Sequence, residues 1–312
     1  MSGVYLPAIT FRMDAVGGDI SPPRVCPPNA ISTRPHIVLL IHGFNVDEEA
    51  GRRSYERFVY GLEDQLVIRR DAPIADDRLI AVYWPGDADW SFASPLAYMR
   101  SIPRAKEIGS ALAQLLHDSS PAGSITVDIV AHSLGCRLAL EALLATSLMA
   151  DSRVHIDKIQ FMAAAVPVFM LDEGNSPRLR AAFERTLGTG ALSLWSGADD
   201  VLTGAFPPGQ TLAGDGEGFF PTAVGHAKWP TSSELARLTP KPTPSGTGHG
   251  SYWGGDTPDI SSCVAKVAHN FLGLSDAIIA APPDRDVGER YLPVGSSPPS
   301  REIPARETAV LC

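Results

Sequence analysis

A serine set between an apolar run and an Ala- and Leu-rich segment is the residue of this sequence best placed to do chemistry. In residues 125–137 (ITVDIVAHSLGCR), a strand-like run leads through AHSLG into residues that favour a helix. At the apex of a turn from strand to helix, the Ser133 hydroxyl would project above the sheet, and the small residues Ala131 and Gly135 would let the strained backbone pass its neighbours. We therefore predict that Ser133 is a nucleophile. An ordinary serine that caps a helix is the alternative for these five residues taken alone.

Ser133 needs partners if it is to attack a carbonyl group. A hydroxyl becomes a strong nucleophile when an imidazole takes its proton, and a carboxylate must hold that imidazole in the right tautomer. The negative charge that develops on the substrate oxygen needs N–H donors, and the amide of Leu134 at the start of the predicted helix points to that place. The sequence offers eight histidines and 35 acidic residues, so their positions in the fold must select among them.

Apolar runs alternate with segments of helical periodicity along the chain. The runs predict five strands, at residues 36–41, 79–84, 125–130, 156–165 and 191–195. The periodic segments predict helices at residues 47–67, 95–117 (interrupted or restarted near Pro103), 134–149, 177–187 and 256–274. Because right-handed crossovers return the chain to the same sheet, this alternation predicts the α/β class, a mostly parallel sheet with helices on both faces.

Composition divides the chain into a lead-in, a domain and a tail. Residues 1–35 are rich in proline and poor in periodicity, which predicts an irregular N-terminal lead-in. Residues 36–280 form the predicted catalytic domain, in which the Gly- and Pro-rich residues 204–250 predict loops that could act as a lid, with one short helix at 232–238. Residues 281–312 are Pro-rich and charged, which predicts a flexible tail.

Charge, cysteine usage and hydropathy restrict the partners. With 26 Lys and Arg against 35 Asp and Glu, the net charge of −9 argues against nucleic acid as a partner. The cysteines show no CxxC spacing, and neither HExxH nor a cluster of histidines and carboxylates occurs, so no metal site is expected. The sequence has no run of about 18 apolar residues and no signal-like N-terminus, so we expect a soluble cytoplasmic protein without stable membrane insertion.

Three motifs together resemble a known superfamily. HGFN after the first core strand, YWPG after the second and AHSLG are similar to the α/β-hydrolase superfamily, and more narrowly to uncharacterised bacterial α/β hydrolases of the esterase and lipase type. The likeness covers roughly residues 36–275, with Ala131 where the general motif has glycine. It implies hydrolysis of a small-molecule ester without a metal or cofactor, and an oxyanion hole formed by the amides of Phe44 and Leu134.

The resemblance also restricts the base, because the order along the chain in this fold is Ser, acid, His. His226, His249 and His269 lie far enough beyond the nucleophile. His249 is favoured, since its glycine-flanked loop (GTGHGSYW) precedes the last predicted helix, where members of the family carry their base. His226 could line the substrate cleft, and His269 lies within a helix among apolar residues. His42 and His132 are expected to brace the loop and the turn.

The acid is expected at the carboxyl end of a strand, where catalytic groups gather in open α/β sheets. The loop SGADDVL follows the predicted strand at 191–195 and offers Asp199 and Asp200. Asp199 is favoured because its spacing from the next apolar pair resembles the usual pattern of the family. Asp172 and Glu173, after the preceding strand, are the fallback pair.

Aromatic residues indicate the kind of substrate. Several of them lie in residues 204–253, where few regular elements would bury them, so they could line an apolar acyl pocket. This favours a hydrophobic or medium-sized ester. Acyltransferase and thioesterase activity would use the same triad, and in a catalytically silent binding member of the fold the triad residues would be present but misaligned, so these alternatives stay open.

Overall fold

The sheet of the computed structural model has eight strands. The structure describes residues 6–14, 19–69, 78–87, 95–121, 123–172, 177–214, 216–230, 235–254 and 261–272. The strands are β1 (Ala8–Arg12), β2 (Ile20–Cys26), β3 (His36–Ile41), β4 (Leu79–Tyr83), β5 (Ile125–His132), β6 (Val154–Met162), β7 (Gly190–Trp195) and β8 (Leu238–Pro242). They lie in the order β2-β1-β4-β3-β5-β6-β7-β8. All neighbours are parallel except β1 and β2.

Helices cover this sheet in two groups. They are α1 (Glu48–Arg69), α2 (Pro95–Ser119), α3 (Gly135–Leu148), α4 (Pro177–Thr186), α5 (Phe206–Ala213) and α6 (Ser261–Leu272). Helix α3 packs between α2 and α4, α5 packs on α2, and α1 packs on α6. The predicted α/β class and its mostly parallel sheet are confirmed, because each βα unit returns to the same sheet.

The two central strands carry the core. In β3 (HIVLLI) every residue after His36 is buried, and β5 is buried from Val127 to His132. A strand covered by helices on both faces must be largely apolar on both, so β3 is a continuous apolar run after His36, and β5 is apolar apart from Thr126, the buried Asp128 and His132. Each fully buried Leu or Ile contributes roughly 1.5–3 kcal/mol. The carboxyl ends of these strands are therefore anchored in the buried core.

The N-terminal region departs from the prediction. Residues 8–12 and 20–26 form strands instead of an irregular lead-in, and β1 pairs in parallel with β4. Ile9 and Phe11 alternate into the core. Pro22 and Pro23 lie in β2, which is an edge strand, and proline is tolerated there because the outer side of an edge needs no amide donor. The prolines that indicated irregular structure are thus compatible with a strand.

Residues 204–250 hold more regular structure than predicted. A π-helix (Val201–Ala205) runs directly into α5, and β8 pairs in parallel with β7. The sequence LTPKP of β8 contains two prolines, which an edge strand again tolerates. The helix predicted at 232–238 is not observed in its described part, where Leu238 begins β8, and residues 231–234 lie outside the described ranges. The tail at 281–312 also lies outside them, and none of the helices described is long and apolar enough to cross a membrane.

Candidate active site

Ser133 occupies the turn between β5 and α3 in a strained backbone conformation. Its φ is 53°, in the left-handed region that non-glycine residues rarely adopt. The amide of Ser133 donates to the carbonyl of Met162 at 2.9 Å, and its carbonyl accepts the amides of Cys136 at 3.0 Å and Ala165 at 3.2 Å. These hydrogen bonds hold the strained residue from both sides, which is how such conformations persist at functional sites.

Two glycines allow neighbouring loops to reach this turn. A Cβ atom on Gly135 would lie 2.4 Å from the carbonyl oxygen of His42, and one on Gly43 would lie 2.7 Å from the Cβ of Ser133. Real side chains do not tolerate such distances, so both positions require glycine. The small residue expected at position 135 is therefore explained by the close passage of the HGFN loop beneath the turn.

The structure brings Ser133, His249 and Asp199 into one hydrogen-bonded chain. The Oγ of Ser133 lies 2.8 Å from Nε2 of His249. On the other side of the ring, Nδ1 of His249 lies 2.8 Å from Oδ2 and 3.0 Å from Oδ1 of Asp199. The Asp199 side chain is completely buried, whereas 12% of the His249 side chain is exposed. The arrangement gives the imidazole one nitrogen facing the hydroxyl and one facing a carboxylate, as proton transfer from a serine requires.

Backbone amides satisfy the buried carboxylate. Oδ1 of Asp199 accepts the N–H groups of Val201 at 3.1 Å and Leu202 at 3.0 Å, at the first turn of the π-helix. These two hydrogen bonds give the buried carboxylate polar partners in place of water. Asp200, which the sequence left as the alternative, is exposed. The structure therefore distinguishes the two adjacent aspartates.

The other candidates do not reach Ser133 in the described residues. Nδ1 of His226 lies 3.4 Å from Oγ1 of Thr203. His269 lies in α6, and its side chain is outside the part described, as is Glu173. Asp172 is exposed and lies on the wall of a surface cavity.

The two amides expected to form an oxyanion hole belong to residues near Ser133. Leu134 follows Ser133 directly and precedes the first residue of α3, and Phe44 follows Gly43, on which a Cβ atom would lie 2.7 Å from the Cβ of Ser133. Among the described residues, no backbone hydrogen bond outside the helices and strands uses either amide. The oxyanion hole of Leu134 and Phe44 stays a prediction.

A family model matches part of this chain. Residues 29–178, a little under half of the chain, match the model of a family described as alpha/beta hydrolases of unknown function (DUF900). Together with the observed sheet, this match shows that the chain has the α/β-hydrolase fold. No curated protein matches the sequence.

Several solved structures are similar to this protein at low sequence identity. A protein described as a candidate cell-surface hydrolase from Lactobacillus plantarum WCFS1 is 12% identical, with a TM-score of 0.45 and coverage of 78% of this chain and 93% of that one. The product of gene lin2722 of Listeria innocua is 13% identical, with a TM-score of 0.36 and coverage of 76% and 93%. An extracellular alpha/beta-hydrolase from a Paenibacillus species is 16% identical, with a TM-score of 0.22 and coverage of 48% and 50%. At these identities the likeness concerns the fold alone.

His42 holds the HGFN loop in place through hydrogen bonds and ring stacking. Its Nδ1 donates to the carbonyl of Gly43 at 2.9 Å, its Nε2 accepts the amide of Trp84 at 3.3 Å, and its ring stacks on the indole of Trp84. The indole N–H donates in return to the His42 carbonyl at 2.9 Å. Burial lowers the pKa of His42 to about 4, so the ring stays neutral and fixed in one tautomer. Residues of the YWPG and HGFN motifs therefore hold each other in place close to Phe44.

Arg12 is a structural contributor to this site that sequence reasoning missed. Only 1% of its surface is exposed, and its guanidinium donates to Asp87 at 2.8 Å, to the carbonyl of Trp84 at 3.1 Å and to that of Val46 at 3.4 Å. It ties the residues after YWPG to those after HGFN. The one signal in the sequence was an arginine that ends a short alternating run, and the resemblance did not extend to it.

The buried neutral His42 makes stability depend on pH. Its pKa is about 4 in the folded state and 6.5 in an unfolded chain, so between these values the unfolded state binds a proton that the native state does not. Above pH 6.5 His42 is neutral in both states and the free energy of unfolding keeps its full value. As the pH falls toward 4, protonation of His42 in the unfolded chain lowers the free energy of unfolding by roughly 3 kcal/mol.

Urea titrations at about pH 7.5 and about pH 4.5 measure this dependence. We expect His42→Gln to show a smaller pH dependence of the free energy of unfolding than the wild type. The control His155→Gln, at a residue whose side chain is 57% exposed, should keep the wild-type dependence. An unchanged pH dependence in His42→Gln would contradict the assignment of a neutral, buried imidazole.

Proposed function

We propose that this protein is a serine hydrolase that cleaves carboxylic esters through an acyl-enzyme intermediate. Ser133 is the nucleophile, His249 the general base and Asp199 the residue that orients it. One observation carries the proposal, the continuous chain of hydrogen bonds from Ser133 Oγ through both nitrogens of His249 to a fully buried carboxylate. A helix-capping serine requires no such partners.

Acylation follows from this geometry. As Ser133 Oγ attacks the carbonyl carbon of the ester, its proton passes to Nε2 of His249, and Asp199 stabilises the imidazolium that forms. The carbonyl oxygen becomes an oxyanion that accepts N–H groups from Leu134 and Phe44. The tetrahedral intermediate then breaks its bond to the alcohol oxygen, which takes the proton from His249 and leaves.

Deacylation repeats these steps with water as the nucleophile. His249 takes a proton from a water molecule that attacks the acyl carbon, and the second tetrahedral intermediate again places its oxyanion at the two amides. Collapse of this intermediate returns the proton to Ser133 Oγ and releases the carboxylic acid. If an alcohol or a thiol replaces the water, the same residues transfer the acyl group instead. If the substrate is a thioester, the leaving group of acylation is a thiol and water still completes the reaction. Acyltransferase and thioesterase activity are therefore the rival outcomes.

A surface cavity is our candidate site for an apolar acyl group of moderate size. It has a volume of about 370 Å³, and Val168 in its wall lies three residues after Ala165, whose amide donates to the Ser133 carbonyl. Its wall contains Val168, Phe169, Pro221 and Trp229, with Asp172 and Lys228 as its charged residues. Mostly apolar walls with a few polar groups are typical of sites that bind small organic molecules. The cytoplasmic location expected from the sequence stays a prediction.

A fluorophosphonate probe and a panel of esters test the proposal. We expect the probe to modify Ser133, as mapped by peptide mass spectrometry. We also expect p-nitrophenyl esters of acyl chains longer than acetate to be hydrolysed with a higher kcat/KM than the acetate ester. Product analysis with and without an added alcohol or thiol separates hydrolysis from acyl transfer. A protein that neither reacts with the probe nor turns over any ester, thioester or acyl acceptor pair would be the silent binding member of the fold.

Removing a large side chain from the wall of the cavity should change the preference for acyl chain length. We expect Trp229→Ala to lower kcat/KM for octanoate about tenfold while acetate hydrolysis changes little, because only a longer acyl chain reaches the indole. The control Tyr60→Ala alters an exposed aromatic on α1 and should leave the profile unchanged. An identical chain-length profile in Trp229→Ala would mean that the acyl chain binds elsewhere.

A further inference from the structure

The residue before the nucleophile has a second, long-range contact. His132 is the last residue of β5 and is 5% exposed, and its Nε2 lies 2.8 Å from the backbone carbonyl oxygen of His249. We propose that His132 is a positioning residue that holds His249 over Ser133 through this hydrogen bond. The proposal rests on the function proposed above, since it concerns the base of that mechanism.

The loop that carries His249 needs such an anchor. The segment GTGHG places the base between Gly248 and Gly250, at the first residue of a 3₁₀ helix of one turn (His249–Ser251), and glycine restricts the backbone less than other residues do. Hydrogen bonds tie its start, where the Thr247 carbonyl accepts the hydroxyl of Ser196 at 2.9 Å. The bond from His132 is the one that acts on the carbonyl of the base itself. It joins the rigid end of β5 to a residue 117 positions later in the sequence.

Ring packing adds to the hydrogen bond. The ring centroids of His132 and His249 lie 4.9 Å apart, and the His132 ring also lies 5.7 and 6.1 Å from the rings of Tyr252 and Trp253. His132 thus packs against the imidazole of His249 and against a buried aromatic pair. A side chain of this shape restricts rotation of the His249 ring as well as movement of its backbone.

The protonation state of His132 suits a fixed donor. Burial first, and then the neighbouring His249, lower the pKa of His132 to about 3, so the ring is neutral at working pH. Since Nε2 carries the proton that it donates to the carbonyl, Nδ1 is unprotonated, and this nitrogen faces Gly43, where a Cβ would lie 3.0 Å away. Neither nitrogen is directed at the Ser133 hydroxyl, so His132 acts through His249 and not on the substrate.

Two substitutions by amide side chains distinguish the effect of losing the hydrogen bond to His249 from the effect of losing the volume of the imidazole ring. In His132→Gln the side-chain nitrogen occupies the position of Nε2 and can donate to the His249 carbonyl, whereas in His132→Asn it corresponds to Nδ1 and falls short. We expect His132→Asn to lower kcat about tenfold with little change in KM, and to lower the rate of fluorophosphonate labelling by the same factor. We expect His132→Gln to stay within about twofold of the wild type.

Active-site titration distinguishes positioning from simple destabilisation. Rates are expressed per Ser133 that the probe can label, and the Tm of each variant is measured, so that a loss of folded protein does not count as a loss of kcat. The control His155→Asn changes an exposed histidine and should leave kcat and Tm unchanged. If the asparagine variant does not fold, His132→Phe, which keeps a ring and lacks a donor, replaces it.

The outcomes separate this inference from the function on which it rests. Equal kcat per labelled site in His132→Asn and His132→Gln, whether both are normal or both impaired, overturns the positioning role. If the wild type does not label at Ser133, or if Ser133→Ala remains as active as the wild type, the proposed function itself fails. An inactive Ser133→Ala together with a fully active His132→Asn removes only the role of His132.

Discussion

Replacing Ser133 by alanine is expected to lower kcat for ester hydrolysis by at least about 10⁴-fold, because in the described part of the protein its hydroxyl is the group that His249 and Asp199 activate. The small residual rate above that in water would come from the two oxyanion-hole amides, which the substitution leaves in place. The fold should survive, since the hydrogen bonds at Ser133 that hold the turn come from its backbone.

Combination with a second substitution makes this test sharper. His249→Ala should cost a similar factor, and the double variant should be no worse than either single variant, because residues that act as a unit have non-additive effects. The control Ser110→Ala alters an exposed serine of α2 whose hydroxyl bonds to its own helix, and should keep full activity. Independent, multiplicative losses in the double variant would contradict a joint role in proton transfer.

Asp199→Asn is expected to lower kcat about 10³- to 10⁴-fold, while the adjacent Asp200→Asn stays within about twofold of the wild type. An amide that donates to Nδ1 of His249 would leave the imidazole proton on Nε2, where it blocks transfer from Ser133. The carbonyl oxygen of the new side chain can still accept the amides of Val201 and Leu202, so the local fold has a means of persisting.

The pair of adjacent substitutions is its own control. Both change one negative charge at nearly the same point in the chain, so a general electrostatic effect would appear in both variants. Measurements of kcat/KM and Tm on the two variants distinguish a direct contact of the carboxylate with His249 from a general effect of removing one negative charge. Loss of activity in Asp200→Asn with retention in Asp199→Asn would assign the orienting carboxylate to the exposed residue instead.

Local patterns were sufficient for the main features of the fold. The nearly all-apolar run at 36–41 predicted a strand buried on both faces, the run at 125–130 predicted another strand, and both are central in the sheet as β3 and β5. The strand, turn and helix around Ser133 were predicted because all of their residues are neighbours in sequence. Strand β8 was missed because proline and a lack of alternation are local arguments against a strand, and the position at a sheet edge that overrides them is not local.

The sequence by itself determined the nucleophile candidate, and the resemblance to α/β hydrolases added the order of its partners and a short set of alternatives for each. Only the tertiary structure shows which distant residues meet: it brings His249 and Asp199, 116 and 50 residues from their respective partners, to hydrogen-bonding distance while Asp200 faces solvent, and this geometry supports the proposed assignment. The same holds for Arg12 beneath the HGFN loop and for His132 against the His249 carbonyl. The physical reason is that residue spacing encodes local conformation, whereas contacts between distant segments depend on how the crossovers of the sheet bring strand ends together.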